Sequence, residues 1–373
     1  MNCAFTLPNQ FGVRLHEAII RHLRPNLCPI DHIPGPPELE ELLQVAVWAS
    51  LQTDEGRHVA FTMSVRPEGS PSNVISLSNS IPLNYDSLAR FSMATDPRRS
   101  AIHVGRIDEE LRLFGIDTLL GTAAPVRIEV RGPARVAVKS ATATVAIVSD
   151  GEASLIDLGM YSDFLTVVPN SRSQSDAEFA GERILSQVAL SMHAHGHGGT
   201  LLVQGPDADC GSAIAHQYQL ARGFCGLPEV EREIRTALDA LRSTATDSDR
   251  HRTRQQLKWA ELRRERYIAA VGRTTAVDGA VIISSDGTLL GFGAKITLST
   301  TPRIYRRLPT ENSSWEELEL ANFGGTRHQS AARFVAHAPG NRAIVASQDG
   351  RLSILRHRTP EDVECLQHSE WLI

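Results

Sequence analysis

Aromatic residues are scarce in this 373-residue chain, at 5 % of the total, which leaves few rings on which single-stranded bases could stack. Cysteine is scarcer still. Cys3, Cys28, Cys210, Cys225 and Cys365 are odd in number, widely scattered and never arranged as C-x-x-C, which excludes a disulfide framework and a structural zinc site. No window approaches the ~18 uninterrupted apolar residues that a membrane-spanning helix needs. Arg14, Glu17 and Arg21 break the first apolar stretch, so a signal peptide is not expected. Positive charge is not in excess either: 38 basic against 43 acidic residues give a formal net charge of −5, which argues against nucleic acid or an anionic membrane as a partner. Together these absences lead to the expectation of a reduced, soluble, cytoplasmic protein.

What is present is ample core material, 42 % hydrophobic residues against 22 % charged, on a chain long enough for about two domains. A smaller α+β domain is expected over residues 1–170, and an α/β domain, a mixed central sheet flanked by helices, over 171–373. In the first, a helix is expected over Val13–Leu23. The Pro34-Gly35-Pro36-Pro37 run introduces a second helix, whose Leu39, Leu42, Leu43, Ala46 and Val47 follow the spacing of a buried helical stripe. Strands are expected at Val59–Val65, Ala101–Val104, Val126–Val130, Thr144–Val148 and Ala153–Ile156, the last two joined by a Ser149-Asp150-Gly151 turn. The polar stretch Asn170–Ser175 marks the boundary. Beyond it, Ser175-x-x-Glu178 reads as a capping box for a helix with Ile184, Leu185, Val188 and Met192 on one face. A strand follows at Thr200–Val203, then helices from Pro228 and over Arg252–Ala270. Strands at Ala280–Ile283, Leu289–Phe292, Ala343–Ala346 and Leu352–Leu355 complete the pattern, and helices interleaved with strands imply a sheet covered by helices.

The common phosphate and hydrolase motifs are missing: no G-x-x-x-x-G-K-[ST], no G-x-G-x-x-G between strand and helix, no G-x-S-x-G and no H-E-x-x-H. Two other features carry chemistry. Phe323-Gly324-Gly325-Thr326-Arg327-His328-Gln329-Ser330 places a hydroxyl, a guanidinium and an imidazole at an expected helix start, where amides and Arg can hold phosphate. Val277-Asp278-Gly279-Ala280 places a carboxylate at the mouth of an apolar strand, suited to a divalent cation or to taking a proton from a hydroxyl.

In this order the two features resemble the diadenylate cyclase domain, whose signatures are D-G-A at the head of a strand, G-T-R-H-R-x-A some tens of residues later and an S-E-E-type turn beyond it. Here these read Asp278-Gly279-Ala280, Gly325-Thr326-Arg327-His328-Gln329-Ser330-Ala331 and Ser347-Gln348-Asp349, with Gly199–Val203 similar to that domain's first core strand. The resemblance spans about Ser175–Arg356. It implies a homo-oligomer in which two ATP-loaded sites face each other and make cyclic di-AMP and two pyrophosphates. It implies Asp278, Arg327 and His328 as catalytic, and Gly279, Ala280, Gly325, Thr326, Gln329 and Ser347 as nucleotide-binding. Asp278 and Asp349 would hold Mg²⁺ or Mn²⁺. The N-terminal half resembles, more loosely, the sensor domains that precede such cyclases. Gln329 stands where the family has Arg, and Gln348 where it has Glu; the alternative reading is therefore a non-catalytic nucleotide-binding sensor on the same fold.

Three further segments are read conservatively. His193, His195 and His197 form a Gly-rich helix-to-strand turn in preference to a metal site. The Arg252–Arg266 run alternates with Glu261 and Glu265, as on a solvated helix face. The stretch between Thr300 and Asn322, with Arg303, Arg306 and Arg307, is a candidate lid over the nucleotide edge, and the Asp96-Pro97-Arg98-Arg99 turn is taken as a solvated loop.

Overall fold

The computed structural model describes residues 5–23, 33–54, 56–66, 74–97, 99–108, 110–118, 124–140, 143–149, 151–165, 174–215, 218–243, 247–348 and 350–372. They form two compact units, Met1–Leu158 with Thr310–Asn312, and Gly159–Pro309 with Ser313–Ile373. The division thus falls between Leu158 and Gly159, ahead of the boundary expected after residue 170, and three residues from far along the chain join the first unit. Residues 170–173 of the polar stretch lie outside the described residues.

The first unit opens with α1 (Phe11–Leu23) and α2 (Pro36–Ser50). Prolines at the first helical positions of α2 cost no backbone hydrogen bond there, and Leu39, Leu42, Leu43, Ala46 and Val47 are all buried. The short β1 (Thr53–Asp54) and β2 (Arg57–His58) pair with each other. Then come β3 (Phe61–Val65), β4 (Val74–Pro82), α3 (Tyr85–Ser92), β5 (Ala101–Ile107), β6 (Glu110–Asp117), β7 (Val126–Gly132), β8 (Arg135–Ser140), β9 (Ala143–Ser149) and β10 (Glu152–Leu155). β3 to β10 form one sheet in the order β10-β9-β8-β7-β3-β5-β6-β4, with β3 and β5 parallel and the other pairs antiparallel. Alternate residues Phe61, Met63, Val65, Ile102, Val104, Ile128 and Val130 join Leu15, Ile19, Leu39, Leu42 and Leu43 in one core, each such side chain contributing about 1.5–3 kcal/mol on burial. The intervening residues of β3 are polar yet buried. Ser64 and Arg66 meet Asp117 there, through an Arg66 Nη2–Asp117 Oδ2 pair of 2.6 Å and an Arg66 Nε–H donated to Ser64 Oγ at 3.1 Å.

The second unit contains α4 (Leu158–Leu165), α5 (Gln174–His195), β11 (Gly199–Gln204), β12 (Ile214–Ala215), β13 (Tyr218–Phe224), α6 (Gly226–Ser243), α7 (Asp247–Thr274), β14 (Ala280–Ser284), β15 (Leu289–Ile296), β16 (Arg303–Arg307), β17 (Glu316–Leu318), α8 (Thr326–His337), β18 (Arg342–Ala346), β19 (Leu352–Thr359) and β20 (Asp362–Gln367). Its sheet runs β12-β15-β14-β11-β18-β19-β20-β16-β17, with β13 also on β15. The β11–β14 and β16–β20 pairs are parallel, so the sheet is mixed. Ala331, Ala332, Phe334 and Val335 of α8 share a core with Leu202, Ile282, Ala343, Val345, Leu355 and Val363; small residues on α8 let it lie close to the sheet. α5 packs against α7 and β18, and α6 against α7.

Two expectations are corrected here. The Thr300–Asn322 stretch is not a lid: β16 and β17 extend the sheet, and Arg303 and Arg306 are paired with Asp362 and Glu316 at 2.8 and 2.6 Å. Nor is the charge run on α7 held only by pairs within that helix, such as Arg252 with Asp249. Arg263 pairs with Glu233 and Arg264 with Glu231, both on α6, because a facing helix offers carboxylates at shorter reach.

Candidate functional site

Continuous pairing assembles one end of the second unit's sheet from three distant segments. Thr200 is the parallel partner of Ala280, and Gly199 the antiparallel partner of Ala346. Gly198 lies two residues before Thr200, Gly279 immediately before Ala280, and Ser347 immediately after Ala346. Residues separated by dozens of positions in sequence thus meet at one sheet end.

Glycine is required at two points of this end. Gly279 has φ +104°, a left-handed conformation that side chains disfavour, and a β-carbon there would fall 2.5 Å from the Gly293 carbonyl carbon. Gly198 has φ +69°, and a β-carbon on it would lie 2.7 Å from Arg327 Nη1, 3.1 Å from Ala346 O and 3.4 Å from Gln348 Cγ. The Arg327 guanidinium therefore sits directly against the Gly198 backbone.

Arg327 comes from the first turn of α8. Gly325 is the N-cap residue in an extended conformation, no side chain caps the helix and its first turn carries no acidic residue. The positive end of the helix dipole is left uncompensated by side chains, a setting that favours an anion. Thr326 is exposed on the same turn, and Gly325 has open space around it. Asp278 is exposed at the head of β14, followed by the buried Ala280.

Other expected residues are turned elsewhere. The His328 ring packs edge-on against Phe323, with centroids 5.4 Å apart, and its Nε2 is 3.3 Å from Ser353 Oγ on β19. Gln329 donates its side-chain amide to Gly324 O at 3.4 Å, within its own loop. Ser347 closes the β18–β19 turn, its hydroxyl donating to Arg351 O at 3.1 Å and its amide to the same oxygen at 2.9 Å. Asp349 lies outside the described residues. Arg327 thus lies against Gly198, two residues before the Thr200 that pairs with Ala280, whereas His328, Gln329 and Ser347 are engaged by the scaffold.

The histidine segment borders this end. His195 closes α5, and its Nε2 is 2.9 Å from Thr275 Oγ1; burial first, and then neighbouring His197, lower its pKa. His193 instead lies beside Gly350, where a β-carbon would come 3.2 Å from its Cε1. The three rings do not converge, and among the described residues no group of three or more His, Cys, Asp or Glu is placed to hold a metal ion. Motif spacing alone passes over Gly198; the signal that could have found it is the G-x-G-G pattern of Gly196, Gly198 and Gly199. A groove of about 640 Å³ between α6 and α7, lined by Arg232, Glu233, Ala240, Trp259 and Arg263 among others, holds none of the motif residues.

Comparison with known proteins adds one informative match. Residues 29–118, within the first unit, match the family described as "Probable sensor domain DACNV". No curated protein matches the chain. Among solved structures, the chain is similar to a hypothetical membrane spanning protein from Bacillus cereus, at 13 % identity and a TM-score of 0.27, over 49 % of this chain and 62 % of that one. The chain therefore spans less than two thirds of that structure's length. No helix among the described residues is long and apolar enough to cross a membrane.

Proposed function

We propose that the second unit is a diadenylate cyclase domain and that the first is its sensor. The observation that supports this reading is that Arg327 of the G-T-R-H segment lies against Gly198, two residues before the Thr200 that pairs with Ala280 of the D-G-A segment. Its support from outside the site is the sensor-domain match over residues 29–118, since a sensor needs an output.

In this reading the α8 N-terminus and Arg327 hold the phosphates of ATP, and the glycines at 198 and 279 let the backbone come close. Each ribose 3′-hydroxyl forms a bond to the α-phosphorus of the ATP on the opposite copy. The α–β phosphoanhydride bond breaks, pyrophosphate leaves, and the hydroxyl proton passes to solvent or to the Asp278 carboxylate. Arg327 offsets charge on the departing pyrophosphate, the contribution that phosphoryl-type transfer chiefly needs from a protein. Mg²⁺ or Mn²⁺ fits a site with an exposed carboxylate, because such ions bind through one or two carboxylates plus substrate phosphates; Asp278, with Asp349, would hold it, and it would supply further charge neutralisation. The chain would work where ATP is plentiful, in the cytoplasm, and as a homo-oligomer.

The test is pyrophosphate release from ATP and Mg²⁺ at several protein concentrations. The reading expects specific activity to fall on dilution, because one copy cannot complete the reaction, and Arg327→Ala to lose most of it. Nucleotide binding without pyrophosphate release would favour the non-catalytic sensor, in keeping with Gln329 standing where the family has Arg.

A further inference from the structure

The other end of the same sheet carries a cluster of arginines that the cyclase reading does not use. Arg342 opens β18 and Ala346 closes it, so Arg342 lies about 13 Å along the strand from the end described above. It is the antiparallel partner of Arg356 on β19. Arg356 in turn pairs with Glu364 on β20, and Glu364 with Tyr305 on β16. Residues directly opposite on neighbouring strands project from the same face, and these four form one row across the sheet. The β19–β20 pairing shifts register between His357 and Thr359. That bulge takes Arg358 out of the ladder and re-aims its side chain, which lies with its guanidinium carbon 4.6 Å from the Tyr305 ring centroid.

Two guanidiniums directly opposite each other repel, and such pairs weaken a sheet. Glu364 offsets part of that cost. It pairs with Arg356, and its Oε1 is 3.9 Å from Arg358 Nε, so one carboxylate serves two arginines. A cavity of about 320 Å³ opens at this row, lined by Arg342, Arg356, Arg358 and Glu364 among others. Three guanidiniums against one carboxylate leave this lining with positive charge in excess, and arginine is charged at every pH of interest. The guanidiniums are also fixed in place. Arg356 lies 4.4 Å over the Phe164 ring centroid, and Arg342 Nη1 donates to Phe164 O at 2.6 Å. Cations held in position beforehand lose little freedom when an anion arrives.

We propose that this cavity binds a phosphate dianion, free or as a small phosphomonoester, gripped by the guanidinium forks of Arg342, Arg356 and Arg358. Two negative charges match the excess of the lining, and three forks need more acceptor oxygens than a second carboxylate would bring. The volume stands at the lower end for small-molecule sites, about 300–1,000 Å³, which suits a small phosphoester. The site is separate from the proposed nucleotide end and does not depend on that reading.

The test is calorimetric titration of the full chain at pH 8 with inorganic phosphate and with glycerol 3-phosphate, in the native protein and in Arg327→Ala, which removes the guanidinium of the proposed nucleotide end. Arg327→Ala is expected to bind one equivalent per chain. Added to it, Arg358→Gln is expected to weaken binding about tenfold, the size of one lost charge-assisted hydrogen bond at the lower end of its range, with no change in melting temperature because Arg358 is half-exposed. Glu364→Gln removes the competing carboxylate and is expected to tighten binding, an outcome that a folding defect cannot produce. Tighter binding of the ester would identify a phosphorylated metabolite as the ligand, and tighter binding of inorganic phosphate the free ion; either supports a phosphate site. No saturable binding below about 10 mM, binding confined to chains that keep Arg327, or equal affinity with and without Arg358→Gln would overturn the proposal.

Discussion

Gly198 and Gly279 should respond very differently to the same substitution by alanine. Both have left-handed φ angles, +69° and +104°, and a side chain there costs about 1–2 kcal/mol in backbone strain alone. At Gly198 the nearest obstacle is the Arg327 Nη1 atom, the end of a flexible side chain that can swing away. Gly198→Ala should therefore destabilise by little more than the strain, about 1–2 kcal/mol. At Gly279 the new methyl would meet the Gly293 carbonyl carbon, Cα and oxygen at 2.5, 2.8 and 2.8 Å. Backbone in a central strand cannot yield so cheaply, and overpacking adds about 1–3 kcal/mol, for a total near 3–4 kcal/mol. With roughly 2–4 °C per kcal/mol for a unit of this size, scanning calorimetry should show a loss of about 2–8 °C for Gly198→Ala and about 6–16 °C for Gly279→Ala. The milder variant should nevertheless lose nucleotide affinity, because its guanidinium has been displaced. Equal destabilisation, or full affinity in Gly198→Ala, would refute the argument that Gly198 exists to seat Arg327.

The first unit should be sensitive to its buried ion pair: Asp117→Asn strands Arg66 among residues that are 7 % exposed or less, and denaturant titration should show a loss of about 3–5 kcal/mol. His103 on β5 has its pKa lowered, chiefly by burial and further by the charge of Arg66. Between that depressed value and the ordinary 6.5, the unfolded chain binds the proton more readily than the folded one, so stability falls as pH drops below about 6.5 and recovers as it rises; His103→Gln should flatten that dependence in melting curves taken from pH 5 to 8. Burial pushes the Cys365 thiol up to about 12, whereas Cys225 is exposed; alkylation at pH 8 followed by peptide mapping should label Cys225 and leave Cys365 untouched.

Elements with a strong period are legible in the amino-acid sequence itself. The Leu39–Val47 stripe forms α2, the Val126–Val130 alternation forms β7, and the apolar run Thr200–Val203 forms β11. β4 escapes such a reading because Val74–Pro82 is an edge strand with no buried residue, so neither face gives an apolar period. The excursion of Thr310–Asn312 into the first unit rests on the Ile156–Thr310 bridge, the Glu311 N–H donated to Leu155 O and the Arg14–Glu311 pair, which no local pattern encodes. At the site, residue identities point to Asp278 and Arg327, but the pairing of Thr200 with Ala280 and of Gly199 with Ala346 depends on strand register, and that is a property of the whole sheet. The side-chain orientations of His328 and Ser347 are likewise set by Phe323, Ser353 and Arg351, partners that motif spacing does not name.

The central claim is that this sheet end makes a cyclic dinucleotide from ATP. Its most direct measurement is mass spectrometry of the products after incubating the purified chain with ATP and Mn²⁺ or Mg²⁺, alongside Asp278→Asn, an exposed substitution that should leave stability within about 0.5 kcal/mol. The account predicts cyclic di-AMP from the native chain and none from the variant. Bound ATP that stays intact, or cyclic di-AMP formed equally by Asp278→Asn, would contradict it.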